Sequence, residues 1–328
     1  MKALLLGLGL ILAASLWDVR HVWPQCWAYD LSTAQKALKN KEYQKVIEQL
    51  SPEIEKLPRE GLFVLAKAYS SLNKHEAAIK AYAACFALNP RDHEAKTLMG
   101  AEQFVSGKDR EALASLKEAL EINPRFTTAY KLLIRYYEKK KNQYEQRLLY
   151  EDMIAKVGET SEAVTKLCEL TTQDRLYDLA FRHCQRGIIL TPQTPENYVY
   201  FGIAAKETGQ AEKAEQSLHK AADDFQKSEL AQLSYAQYLD EQKNYIGSYS
   251  YYKRAVQAKF DSVPGLLGLA NSSLEIQKYA DSLQAYQKAC QIDKKTLPAF
   301  RRAANILRTM KIQDWLKKFE EGVENCGS

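Results

Sequence analysis

Six cysteines, five histidines and 41 carboxylates are the side chains of this 328-residue chain that could carry chemistry, and their spacing limits what that chemistry is. Metal capture needs thiolates or imidazoles at set intervals, and no CxxC or HExxH run occurs. His75, His93, His183 and His219 are scattered, and the one His-Cys neighbour pair, His183-Cys184, would diverge by about 100° on a helix. A phosphate-cradling GxxxxGK loop is absent as well. Glycoside hydrolysis would require two carboxylates held about 5–9.5 Å apart in a cleft, and the pattern singles out no such pair. The expectation is a protein with no catalytic residue, no cofactor and no metal.

The elements that position these side chains follow one period. Ala78, Ala112, Ala180, Ala214, Ser248 and Ser282 lie at multiples of 34 from one another. Ala66, Gly100, Cys168, Gly202, Ala236, Ala270 and Ala304 form a second such series, and Cys85, Ala119, Gly187, Ala221, Ala255 and Ala289 a third. Between them, large apolar residues recur at helical spacing: Leu62, Leu65 and Tyr69 on one stretch, Ile79, Tyr82 and Phe86 on the next, with Ser71 to Lys74 as the turn. Asn89-Pro90, Asn123-Pro124 and Thr191-Pro192 stop three of the units, because proline disfavours helix in the residue before it.

A helix-turn-helix of this length, with small, apolar and aromatic residues at fixed places, resembles the tetratricopeptide repeat family. With Arg59, His93, Thr127, Ser161, Pro195, Glu229, Val263 and Leu297 as first positions, the three small series fall at the eighth, twentieth and twenty-seventh places. The resemblance implies an all-α fold: a right-handed superhelical solenoid of antiparallel helix pairs, about eight repeats with a C-terminal capping helix. The expected units are 29–58, 59–92, 93–126, 127–160, 161–194, 195–228, 229–262 and 263–296, a terminal unit 297–323 and a disordered tail 324–328. Small residues belong where helices approach to about 8–10 Å, so these positions read as packing. Units this short must cover their apolar faces with their neighbours.

The resemblance further implies binding of a protein or peptide partner along a concave groove lined by the first helix of each pair. The groove places give Phe63, Val64, Leu98, Phe104 and Val105 early in the chain, apolar residues on a face expected to be wet. They give Lys131, Arg135, Lys139 and Lys166 in the middle, then Val199, Tyr200 and Ile203, and finally Arg301, Arg302, Asn305 and Arg308. The apolar group reads either as a partner pocket or as surface covered by the protein itself. Arg301 with Asn305 stands where part of a carboxylate clamp would, but Leu267 replaces the basic residue one repeat earlier. The fourth repeat departs from the pattern, with Ile134, Gln146 and Met153 at all three small places. Larger groups there should spread the helices near residues 127–160.

The first 28 residues lie outside the period. "MKALLLGLGLILAASLW" has the architecture of a signal peptide, a basic residue before an apolar run. A helix over Ala3 to Trp17 would span about 22 Å, short of the ~30 Å hydrocarbon core, so a cleaved signal is expected, with Cys26 and Ala28 at the cut. An uncleaved membrane anchor is the alternative. At 27% charged and 10% aromatic the chain has ordinary globular content, and its net charge of +5 is too mild to argue for nucleic acid. Cys168 and Cys184 occupy the eighth and twenty-fourth places of one repeat, on facing helices, and would be either buried free thiols or a disulfide in an oxidising compartment. Cys326 in the tail is expected to be exposed. Trp315, Leu316, Phe319 and Val323 form the stripe of a terminal helix. The functional expectation is an exported, non-enzymatic adaptor in the cell envelope, with a chaperone-like receptor or a regulatory subunit of an envelope enzyme as alternatives. Its oligomeric state is not readable from the chain.

Overall fold

The computed structural model describes residues 31–327, so the expected signal peptide, including Cys26 and Ala28, lies outside the described residues. Among the described residues there are eighteen α-helices and no strand. They fall into two compact units, 31–118 and 119–327, with the division inside α6 (Asp109–Ile122).

The first unit opens with two eight-residue helices, α1 (Ser32–Lys39) and α2 (Tyr43–Leu50), and a 3-10 turn (Ser51–Lys56). α3 (Arg59–Ser71), α4 (His75–Leu88) and α5 (His93–Val105) follow. Ala34, Val46, Leu50, Leu62, Leu65, Ala66, Tyr82 and Cys85 fill one core. Arg59 on α3 donates to Asp92, the N-cap of α5, at 2.5 Å, and Asp92 in turn accepts from the Ala95 amide. Burial would raise the Asp92 carboxyl most, but these bonds and Arg59's charge hold it below the usual range.

The second unit contains α7 (Thr127–Lys139), α8 (Gln143–Val157), α9 (Ser161–Gln173), α10 (Tyr177–Leu190), α11 (Pro195–Glu207) and α12 (Ala211–Asp224). It continues with α13 (Glu229–Glu241), α14 (Tyr245–Ala258), α15 (Val263–Glu275), α16 (Tyr279–Ile292), α17 (Leu297–Thr309) and α18 (Gln313–Gly327). Odd-numbered helices are the first of each pair and even-numbered ones the second. Every alanine, cysteine and serine of the three small series is buried, which is what close helix approach requires. The last pair differs from expectation at its end: α18 is helical to Gly327, although Glu324, Asn325 and Gly327 are exposed. Cys326 is half-buried and bonded to Cys290 on α16, with Cα atoms 5.9 Å apart, so it is not the exposed thiol the sequence led one to expect. Cys85 remains the free cysteine among the described residues, and burial pushes its thiol up to about 12.

The same period controls the turns. One residue per helix pair adopts a left-handed conformation: Asn73, Gly107, Lys141, Arg175, Gly209, Lys243, Gln277 and Lys311, each 34 from the next, with Lys41 preceding them. After it, a backbone amide reaches back five residues, as from Lys74 to the Tyr69 carbonyl, and closes the first helix. Only two of these residues are glycine. An L side chain costs about 1–2 kcal/mol in this region, partly offset by glycine's greater unfolded freedom. Combining Lys141→Gly, Arg175→Gly, Lys243→Gly, Gln277→Gly and Lys311→Gly is expected to add ~2–4 kcal/mol to the second unit, read as a higher melting temperature.

Candidate functional site

In a helix pair of this array the eighth and twenty-fourth residues face each other. Where one is glycine the other is leucine: a Cβ on Gly202 would lie 2.6 Å from Leu218, and one on Gly100 would lie 3.0 Å from Leu116. In the pair α9–α10 the same two places are Cys168 and Cys184, joined as a disulfide with Cα atoms 4.7 Å apart. In the pair α7–α8 they are Ile134 and Tyr150, with Met153 at the twenty-seventh place; none of the three is small. All three are buried, in a cluster with Tyr130, Ala163, Leu167 and Leu170.

Bulk on both sides of one contact leaves space beside it. The first helices α9 and α11 pack against one another. Between α7, α8 and α9 lies a cleft of about 240 Å³, lined by Lys131, Ile134, Arg135, Glu138, Tyr150, Met153 and Glu162. The four residues from α7 are three or four apart and share one helix face. Ile134, Tyr150 and Met153 make an apolar floor. Lys131 and Arg135 are exposed at the rim and form no ion pair among the described residues. Burial, aided by Glu162, Glu138 and Glu169, pushes the Tyr150 hydroxyl up to about 12, so it remains a neutral donor at physiological pH. That hydroxyl has no hydrogen-bond partner among the described residues. The space is smaller than the ~300–1,000 Å³ of small-molecule pockets and suits one large side chain of a bound segment.

The other residues expected at a groove are placed variously. Phe63 and Val64 are each only 8 % exposed and belong to the core of the first unit. The shortened pair α1–α2 packs over α3, and the Phe63 ring meets Tyr82 edge-on at 5.4 Å with Arg59 and Lys67 against its faces. They are packing residues, not groove residues. Leu98 is half-buried against the same core and Phe104 is half-buried; Val105, at the end of α5, is exposed.

On α11, Val199 is fully buried in the core around Tyr198 and Ile203 is half-buried against it. Tyr200 is half-buried, hydrogen-bonded to Gln173, and pushed up to about 12 by burial. Lys166 pairs with Glu169 at 2.8 Å, and Lys206 bonds Glu241 at 2.9 Å, linking successive first helices. Arg301, Arg302 and Asn305 are exposed on α17. Asn305 accepts from Arg308, which also pairs with Glu320 at 2.6 Å, and Asn271 accepts from the Tyr286 hydroxyl. Asn305 of the partial carboxylate clamp and Asn271, its counterpart one repeat earlier, are therefore both engaged within the protein. Sequence reasoning missed Tyr150 as a site residue, although its place opposite Ile134 was visible at the 34-residue offset.

Several solved structures resemble the chain. YrrB, described as a TPR protein with an unusual peptide-binding site, is 18% identical, with 57% of this chain and 97% of that one covered and a TM-score of 0.48. Pseudomonas aeruginosa pilF is 15% identical, with 63% and 95% covered and a TM-score of 0.48. A tetratricopeptide repeat protein from Parabacteroides merdae is 14% identical, with 85% and 98% covered and a TM-score of 0.49. No curated protein matches the sequence. Residues 60–92 match the family model of the tetratricopeptide repeat. The helix pair and left-handed turn of that matched segment recur at 34-residue intervals through both units, so the chain is an array of tetratricopeptide-like repeats.

Proposed function

We propose that the chain is an exported, non-enzymatic scaffold of the cell envelope, which seats one large side chain of a partner segment in the cleft between α7 and α9. A tetratricopeptide fold is a scaffold for protein–protein interaction; the cleft is the observation that carries the finer reading. It joins an apolar floor, a tyrosine hydroxyl with no hydrogen-bond partner among the described residues and two exposed cations that form no ion pair among them. A segment with a large apolar residue beside a carboxylate would meet each of these groups. Export is supported by the leader-like run at residues 1–17 and by two disulfides, which persist in oxidising compartments and are rare in the cytosol.

The test is capture from an envelope extract with the wild-type protein and a Lys131→Glu/Arg135→Glu variant, both changes at exposed positions that leave the core intact. One defined partner, retained at least tenfold less by the variant, is the expected result. Equal capture by both removes the cleft from the account, and a broad set of unfolded clients indicates a chaperone-like receptor instead. Mass spectrometry of the mature protein checks export independently: the expected chain lacks the leader and carries both disulfides.

A further inference from the structure

A second opening lies on the opposite kind of surface, between the second helices α14 and α16, with α15 beneath it. It has a volume of about 300 Å³ and an apolar floor of Val256, Leu266, Leu269 and Ala285. The array supplies its own comparison, because the equivalent space one repeat earlier is filled with rings. There His219 lies 5.0 Å from Tyr235, and Tyr235 meets Tyr251 edge-on at 4.7 Å. Thirty-four residues on, those three places are Lys253, Leu269 and Ala285. One repeat later still, the place of Ala285 is taken by Phe319, fully buried 5.8 Å from Phe300. Both neighbouring grooves thus hold a ring where this one holds a methyl group.

The rim is positively biased. Lys288 lies over the ring of Phe260, which is 71 % exposed, and forms no ion pair among the described residues. Among the described residues Lys253 contacts Tyr249, through its hydroxyl and over its ring. The one carboxylate in the lining, Asp281, accepts from that same hydroxyl at 2.8 Å. An aromatic ring restores the packing found on either side, and an anionic group beside it meets Lys288 and Lys253.

We infer that the groove between α14 and α16 is a second binding site, which takes an aromatic side chain flanked by acidic residues from a protein partner. It is separate from the α7–α9 cleft and does not depend on what that cleft binds. The probe is a fluorescein-labelled peptide, Gly-Glu-Tyr-Glu-Gly-Ser, followed by polarisation against the full chain. Saturable binding is expected, weakened at least tenfold when the tyrosine is replaced by alanine or the two glutamates by lysine. Leu269→Tyr with Ala285→Tyr copies the filled groove of the preceding repeat and is expected to abolish binding without lowering the melting temperature. Lys253→Glu with Lys288→Glu, at surface positions, gives the same loss by charge and keeps the test decisive if the first variant misfolds. The Lys131→Glu/Arg135→Glu variant is expected to bind the probe like wild type. Absence of saturable binding, equal affinity for the alanine peptide, or binding unaffected by either groove variant overturns the inference.

Discussion

Gly268→Leu is expected to destabilise the second unit by about 3 kcal/mol or more, the largest loss from any single glycine in the array. A Cβ at this position would lie 2.2 Å from Cε1 of Tyr252 and 2.4 Å from its Cζ, far inside contact distance. The ring cannot retreat, because Tyr252 is only 4 % exposed and its hydroxyl donates to Asp240 at 2.8 Å. Even Gly268→Ala, which gains about 1 kcal/mol in helix propensity, should be a net loss, since overpacking of a fixed ring costs more. Thermal denaturation of Gly268→Leu, alone and with Tyr252→Leu, tests the mechanism. The pair should recover part of the loss, giving a coupling of about 1 kcal/mol or more. Gly61→Ala is the control: its nearest atoms are Leu31 and Leu57 side chains at 3.2 and 3.3 Å, and the change should stay within about 0.5 kcal/mol.

Reduction of the two disulfides is expected to have the next largest effect. Cys168–Cys184 ties the helices of one pair across 16 residues, and Cys290–Cys326 ties α16 to α18 across 36. Chain entropy assigns the shorter loop about 3 kcal/mol and the longer one about 4 kcal/mol, upper estimates for an array in which unfolding is local. Treatment with a thiol reductant should therefore lower the melting temperature of the second unit and loosen α18, seen as faster amide exchange over residues 313–327. Cys168→Ala with Cys184→Ala should show only the share from α9–α10, plus the cost of the cavity left at the twenty-fourth place, where other repeats carry leucine or tyrosine. A melting curve indifferent to reductant in a protein shown by mass to carry both bonds would contradict the assignment.

Much of the fold was legible because small residues are required wherever two helices touch, and that requirement repeats along the chain. Ala78 and Ser282, roughly 200 residues apart, are both fully buried for one reason. The region of the candidate cleft was legible too, as the repeat where Ile134, Gln146 and Met153 break the pattern. Its chemistry was not, because Tyr150 matters only through what faces it.

Phe63 and Val64 misled for a related reason. A position number says which way a side chain points, not what lies there: the Phe63 ring packs on Tyr82 of α4 with Arg59 and Lys67 over it. The outer groove was written in the sequence as Tyr251 against Ala285, but it has meaning only once α14 and α16 are known to flank one space. The bond between Cys290 and Cys326 escaped notice because α18 runs four residues further than the apolar stripe required.

The most direct measurement of the central claim is photo-crosslinking from the rim of the cleft in its native setting. A benzophenone side chain introduced at Lys139, exposed on α7 just beyond the lining residues, should capture one defined partner, and the adduct should vanish in the Lys131→Glu/Arg135→Glu background. The same probe at Ile189, 64 % exposed on α10 and away from the cleft, should capture nothing comparable. Adducts of equal yield from both positions, or from Lys139 regardless of the charge reversal, would show that the cleft between α7 and α9 is not where the partner is held.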